Sequence, residues 1–148
     1  MAPIVESIEI ARSPEDVFRY VTDPDHLRDW QASVVDVKKE VEGPMHAGSK
    51  VVVTRQIKGR TRPMTQEFGE LEPPRHWTVR GVDSPIRGNV DGTVEPIDGG
   101  NRSRVTIRLD FEGHGIGKVL VPLVVRRMAA KEMPENMQRL KERLESGA

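Results

Sequence analysis

The sequence predicts an α+β fold, in which a curved seven-stranded antiparallel sheet wraps around one long C-terminal helix and two short helices follow the first strand. Three observations predict it: the strand and helix signals at the start of the chain, a middle region of strand-like segments separated by short turns, and a helical apolar pattern at the end. The 148 residues suit one domain with one core, so we expect a single domain over residues 1–148.

The start of the chain predicts a strand and then two helices. Residues 4–11, IVESIEIA, place isoleucines at even spacing, which is typical of a strand. Ser13 is expected to cap the first helix because its hydroxyl can accept a hydrogen bond from a free N–H, and Pro14 suits the first helical position. Residues 23–30, DPDHLRDW, repeat this start, so a second short helix should run to the end of that segment.

The middle of the chain predicts six more strands. In the last of them Val105, Ile107, Leu109 and Phe111 point to one face while polar and charged residues point to the other. One dry face and one wet face are typical of an antiparallel sheet that is covered on one side. The six segments are residues 33–43, 49–59, 63–72, 75–82, 88–96 and 103–113.

After Gly117 the apolar spacing becomes helical. Charged residues, among them Glu132, are assigned to the opposite face of this helix. Pro122 is tolerable in a first turn, whereas Pro134 lies well inside and should bend or interrupt the helix. The predicted apolar stripe consists of Leu120, Leu123, Val124, Met128, Met137, Leu140 and Leu144.

This combination of elements predicts a cavity. The helix offers one apolar stripe and the sheet offers one dry face, so the two must pack together. A single stripe supplies limited side-chain volume, and a strongly curved sheet need not be filled by it. A space between sheet and helix is the expected result.

Composition excludes several classes of function. Lysine plus arginine number 23, as do aspartate plus glutamate, so the balanced chain has no overall electrostatic reason to bind nucleic acid or an anionic membrane. The absence of cysteine excludes disulfides and thiolate metal sites. The sequence has no apolar run of membrane-spanning length and no secretion-signal pattern at its start. We therefore expect a cytoplasmic protein without membrane insertion.

The glycine-rich segment FEGHGIGKVL, residues 111–120, invites comparison with phosphate-binding loops. A P-loop needs glycine where Glu112 stands and serine or threonine where Val119 stands, and the dinucleotide pattern G-x-G-x-x-G is also absent. The favoured interpretation is a tight reversal from strand to helix, for which glycines provide the required dihedral angles and close approach. A flap at a cavity mouth, with His114 near the entrance, is the alternative.

Catalytic and metal motifs are not evident. The histidines at positions 26, 46, 76 and 114 lack metal-motif spacing, and no serine has the context of a nucleophile elbow. We expect no metal and no cofactor. Arg55 shares a strand face with Val51, Val53 and Ile57, so it either enters the cavity to meet a ligand oxygen or lies at an edge with its charge in water.

Three long segments together resemble the SRPBCC superfamily of helix-grip proteins, which includes START domains, the major birch-pollen allergen and bacterial polyketide cyclase/dehydrase-like proteins. The turn at Asn101 and Arg102 departs from the Gly-Thr of many relatives. The segments are residues 7–30, SIEIARSPEDVFRYVTDPDHLRDW, residues 69–80, GELEPPRHWTVR, and residues 126–145, RRMAAKEMPENMQRLKERLE.

The resemblance implies a helix-grip fold with a hydrophobic cavity that takes a small polyketide-like or lipid-like molecule. Two alternatives remain open, namely a polyketide cyclase or dehydratase, and a protein-interaction module with a vestigial cavity; the chain is expected to be a monomer or homodimer. The residues expected to bind the ligand are Trp30, Val53, Arg55, Met64, Gln66, Phe68, Trp77, Val79, Val90, Leu109, Phe111, His114, Leu120, Val124 and Met128.

Overall fold

The computed structural model describes residues 2–147. Its elements follow the predicted order. The first strand is followed by two short helices, six further strands and the C-terminal helical region. The bounds are β1 Ile4–Ile10, α1 Pro14–Val21, a 3₁₀ turn Pro24–His26, α2 Leu27–Trp30, β2 Val34–Lys39, β3 Lys50–Ile57, β4 Arg60–Glu72, β5 His76–Val82, β6 Ile86–Ile97, β7 Arg102–Gly113, α3 Gly117–Leu120, a π turn Val121–Val125 and α4 Arg126–Glu145.

The seven strands form one antiparallel sheet in the order β1-β7-β6-β5-β4-β3-β2. Neighbours from β2 to β7 are consecutive in the chain, and β1 pairs with β7, as Ile4 opposite Leu109 shows. The curled sheet and the long C-terminal helix packed against it confirm the predicted α+β, helix-grip architecture.

The predicted helix caps are confirmed. Ser13 accepts a hydrogen bond from the backbone N–H of Asp16 at 3.3 Å, and Pro14 occupies the first helical position of α1. Asp23 likewise accepts from the N–H of Asp25 at 3.0 Å at the start of the 3₁₀ turn. These caps satisfy donors that have no partner inside a helix.

The glycine-rich turn is a close reversal between β7 and α3. The N–H of His114 donates to the carbonyl of Pro85 at 2.8 Å, and Gly115 has φ of +59°. A Cβ atom at Gly117 would overlap the Pro85 carbonyl, and one at Gly113 would overlap the backbone of Gly117. The glycines therefore serve the close packing of this turn on the β5–β6 connection.

The sequence predicted that Pro134 bends or interrupts the helix. The prediction of an interruption is wrong. Helix α4 continues through Pro134 to Glu145. A proline removes the N–H that would bond to the carbonyl four residues earlier, at Ala130. Both residues are exposed, so water can satisfy that carbonyl. The irregularity lies instead at the π turn, which contains Pro122.

The π turn also changes which side chains face the sheet. It accommodates an additional residue per turn and so rotates the preceding residues relative to an ideal helix. Val121 and Val125 are buried, whereas Leu123, which was assigned to the apolar stripe, is 62% exposed. The predicted stripe is correct from Met137 to Leu144, whereas Leu123 inside the π turn faces solvent.

The core has two parts. The larger one joins the sheet to α1, α2 and the C-terminal half of α4, and includes Phe18, Trp77 and Leu140. The smaller one lies at the end of the sheet that carries the β3–β4 and β5–β6 turns, and it joins this end to the π turn. Ile57 and Val121 belong to this cluster. The space between them is the cavity described next.

Candidate functional site

A cavity of about 150 Å³ lies between the inner face of the sheet, helices α2 and α4, and the end of α1. Its wall is mainly apolar, with a small number of polar side chains. Eleven of the predicted ligand-binding residues lie on this wall: Trp30, Arg55, Met64, Gln66, Phe68, Trp77, Val79, Val90, Leu109, Phe111 and Met128.

Four predicted residues lie elsewhere. Val53 points inward but is completely covered by the main core. Leu120 and Val124 pack against the smaller core, because the π turn directs Val125 rather than Val124 to the cavity. His114 is exposed on the glycine-rich turn, away from the wall.

Several wall residues were not predicted. Glu132 was assigned to the solvent face of the helix, but it lies on the cavity wall together with Asn136. The sequence contained a signal for this placement. Residues 128, 132 and 136 are four apart and so share one helix face, and Met128 was already predicted to face the cavity. Gln31 and Ser33 follow α2 in an irregular connection, for which no periodic pattern was available.

Arg55 is the main polar group of the cavity. The alternation of β3 places it on the inner face with Val51 and Ile57. Its Nη1 donates to Ser33 Oγ at 3.0 Å and its Nη2 donates to Gln31 Oε1 at 2.7 Å. Both partners are neutral, and no ion pair of Arg55 occurs among residues 2–147.

Burial lowers the pKa of Arg55 from its ordinary value, because an apolar environment disfavours the charged form, and the charge of Glu132 acts in the opposite direction. An arginine nevertheless remains a cation in proteins. The cavity therefore holds a guanidinium cation, with the carboxylate of Glu132 on the same wall.

Glu132 approaches the same place from the helix. Its Oε1 accepts a hydrogen bond from the backbone N–H of Ser33 at 2.8 Å. The hydroxyl of the same serine accepts from Arg55. One turn later, Asn136 Oδ1 accepts from the N–H of Ala32 at 3.2 Å. These bonds join α4 to the α2–β2 connection and hold a carboxylate and a guanidinium at one region of the wall.

The aromatic wall is rigidly supported. Trp77 packs edge-to-face against Phe18, with ring centroids 5.9 Å apart and an interplanar angle of 83°. Trp77 also covers Gly92 so closely that a Cβ atom there would overlap the indole. The indole N–H of Trp30 is buried and has no hydrogen-bond acceptor within the described part of the chain.

A wider surface depression of about 940 Å³ lies between α1 and the β2–β3 and β4–β5 connections. Its lining mixes charged residues such as Glu15 and Lys39 with Met45 and Leu71. Because this depression has no converging set of polar groups, the cavity between the sheet and α4 is the better candidate site.

One cluster on the outside of the sheet has the residue types of a cation site. Ligand atoms of Glu70, Glu72 and His76 lie within 4.8 Å of one another. The opposite ring nitrogen of His76, Nε2, lies 2.9 Å from Asp91, and this hydrogen bond raises the pKa of the histidine against the opposing effect of burial. Ion pairs of a protonated His76 with these carboxylates account for the cluster without a metal.

The comparisons with known proteins agree with this geometry. The family model for polyketide cyclase / dehydrase and lipid transport proteins matches residues 1–145. The chain belongs to this family. Its members share the SRPBCC, Bet v 1-like architecture, so the resemblance seen in the sequence is confirmed, and membership implies a cavity for a hydrophobic ligand. No curated protein matches the sequence closely enough to indicate a particular activity.

Solved structures of similar fold cover nearly the whole chain. TTHA0849 from Thermus thermophilus has a TM-score of 0.78 at 18% identity over 99% of both chains. The di-domain ARO/CYC BexL of the BE-7585A biosynthetic pathway has a TM-score of 0.73 at 16% identity, with 98% of this chain matching 47% of that one. Ara h 8.0201 has a TM-score of 0.70 at 14% identity over 98% of both. At these identities the similarity establishes the fold alone.

No helix within residues 2–147 combines the length and apolar character needed to span a bilayer.

Proposed function

We propose that this family member binds a small polyketide-like or lipid-like molecule whose apolar body fills the cavity and whose carboxylate or carbonyl oxygen meets Arg55. The observation that carries this proposal is one guanidinium, hydrogen-bonded only to neutral groups, on a mainly apolar wall. Apolar surface provides affinity in such sites, and a small number of placed polar groups orient the ligand.

The cavity volume sets the scale of the ligand. A cavity of about 150 Å³ matches the size at which an engineered apolar cavity accepts benzene, and most drug-sized ligands need about 300 Å³ or more. A compact ring or a short chain fits as the cavity stands. A larger guest requires side chains to move, and Met128, Met133 and Met137 provide adaptable unbranched side chains on the helix side.

The charge at the polar end favours an oxygen-bearing group. Two of the five N–H donors of Arg55 are used by Gln31 and Ser33, which leaves donors for a ligand. Its cross-strand neighbour Arg62 has the same charge and also makes no ion pair among the described residues. A carboxylate would gain charge-assisted hydrogen bonds here that a hydrocarbon could not form.

Native mass spectrometry, followed by extraction of any co-purified small molecule, tests the proposal directly. We expect a bound apolar molecule with an acidic or carbonyl oxygen, or, if the protein purifies empty, saturable NMR shifts of cavity residues with 4-methylbenzoate. Ala129 lies on the wall, so Ala129→Leu should reduce binding by filling space, while the exposed Ala130→Leu serves as its control. No co-purified molecule together with no saturable shift would contradict the proposal.

A second candidate function is catalysis by a cyclase or dehydratase. The observation that favours it is the carboxylate of Glu132 beside Arg55, since a base and an oxygen-binding cation are the groups that proton removal next to a carbonyl requires. Glu132 would take the proton and Arg55 would stabilise the enolate oxygen. Substrate-dependent exchange of that proton with solvent, lost in Glu132→Gln while binding persists, would distinguish an enzyme from a carrier.

A further inference from the structure

We propose that the end of the molecule formed by the β3–β4 turn and the start of the C-terminal helical region docks on an anionic lipid surface. We call this region the basic apolar end and define it by Lys58, Arg60, Lys118, Arg127, Ile116, Val119 and Leu123. The proposal goes beyond ligand binding and does not depend on it.

Exposed large apolar side chains are concentrated there. Ile116, Val119 and Leu123 are 59%, 55% and 62% exposed. They lie at helical spacing on the outer side of the helical region, whose inner side is held in the smaller core by Val121 and Val125. A cluster of exposed apolar residues at one place marks an interaction surface rather than ordinary surface composition.

Basic side chains lie at the same end of the molecule. Lys118 and Arg127 lie on the same helical region as the apolar stripe. Lys58 lies in the β3–β4 turn and Arg60 begins β4; Ile57, directly before this turn, packs in the same cluster as Val121. None of the four makes an ion pair or side-chain hydrogen bond within residues 2–147, although many other arginines and lysines of the chain do.

The charge separation gives the neutral chain a positive end. Acidic residues at this end are Asp83 in the β5–β6 turn and Glu112, whose carboxylate accepts from Asn89. Apolar residues flanked by unpaired lysine and arginine are typical of helices that lie in the interface of an anionic membrane.

The same charges argue against a second copy of the chain as the occupant. In a two-fold symmetric dimer each patch faces its own equivalent, so Lys118 and Arg127 would face the same cations of the partner. Like charges brought together at an interface are unfavourable, whereas phosphate headgroups neutralise them. Lipid is therefore the better match for both the apolar and the charged residues.

Co-sedimentation with vesicles tests the proposal. We expect the full chain to bind phosphatidylcholine vesicles that contain phosphatidylglycerol, to bind pure phosphatidylcholine weakly, and to lose binding as salt rises. Lys118→Gln should lower the partition coefficient about fivefold. Leu123→Ser should lower it about tenfold by removing one inserted apolar side chain.

Matched controls are available at other places on the surface. Lys38→Gln changes an exposed lysine in β2, and Val41→Ser changes a valine after β2 that is 69% exposed. Both variants should bind vesicles like wild type. Circular dichroism checks that every variant folds. The proposal is overturned if anionic vesicles do not bind at low salt, if Leu123→Ser and Lys118→Gln bind like the controls, or if Leu123→Ser instead abolishes a concentration-dependent dimer.

Discussion

Replacing Arg55 by methionine separates the polar recognition proposed for the cavity from its apolar recognition. The substitution keeps an unbranched side chain on the wall but removes the guanidinium. It also removes the donors to Ser33 Oγ and Gln31 Oε1, at 3.0 and 2.7 Å.

The effect on folding should be small. Hydrogen bonds of a charged group contribute about 1.5–3 kcal/mol each, so losing the two bonds of the guanidinium costs about 3–6 kcal/mol. The variant also no longer keeps a cation in an apolar cavity, and the two effects oppose each other. The effect on an anionic ligand should be larger. A hydrogen bond to a charged group contributes about 1.5–3 kcal/mol, which corresponds to about a 10- to 150-fold increase in Kd.

The assay compares two probes of nearly the same shape, 4-methylbenzoate and p-xylene, by NMR titration of wild type and Arg55→Met. We expect the carboxylate to lose affinity by the factor above, while the Kd of p-xylene changes less than about threefold. Arg55→Lys keeps the charge without the planar fork and should give an intermediate loss for the carboxylate. Arg80→Met, on the exposed side of the sheet where Arg80 pairs with Glu67, is the surface control.

Equal losses for the two probes would show that the variant distorts the cavity rather than removes an anchor. No loss for the carboxylate would refute a role for Arg55 in ligand binding.

Three further predictions concern the cavity wall and the helices that support it. Gly88→Ala should fold normally, because a Cβ atom there meets its neighbours at ordinary contact distances, and should weaken p-xylene binding by reducing cavity volume, as measured by NMR titration. Gly92→Ala should destabilise the protein by about 1–3 kcal/mol in urea unfolding, because its Cβ overlaps the Trp77 indole. Tyr20, the single tyrosine, should ionise with a pKa of about 12. Burial disfavours the phenolate most, and the negative charge of Asp29 disfavours it further. Asp29→Asn should therefore lower the pKa of Tyr20, as measured by ultraviolet absorbance titration. Because the folded pKa exceeds the unfolded value near 10, the stabilisation from neutral Tyr20 is complete below pH 10 and is lost as the pH rises towards 12.

Each of these predictions has a contrary result. Unchanged p-xylene affinity in Gly88→Ala would place the ligand away from this wall. Wild-type stability of Gly92→Ala would show that Trp77 relocates without cost. A phenol that ionises near pH 10 in the folded protein would mean that Tyr20 is solvated.

Local signals in the sequence determined most of the fold. Ser13 and Asp23, each followed by proline, marked both helix starts, because capping depends only on residues within one turn. Period-two alternation marked the first and last strands and placed Arg55 on the same face as Val51 and Ile57. The glycines around His114 indicated a close reversal rather than a phosphate loop, since motif spacing is also local.

The course of the long C-terminal helix, and which side of it each residue faces, were less predictable. The π turn at Val121–Val125 directs Val125 rather than Val124 to the wall and leaves Leu123, which lies within the turn, exposed. Pro134 did not interrupt α4, because the tertiary position of that turn at the surface allows water to satisfy the freed carbonyl.

The sequence by itself determined the order of elements, their caps and the dry face of the last strand, because each is set by neighbouring residues. Only the tertiary structure decided that Glu132 faces the cavity, that Arg55 meets Ser33 and Gln31 there, and that Ile57 packs in one cluster with Val121. The physical reason is that these relations join residues far apart in the chain. The curl of the sheet and the rotation of one helix bring them together, and neither quantity is encoded in any short segment.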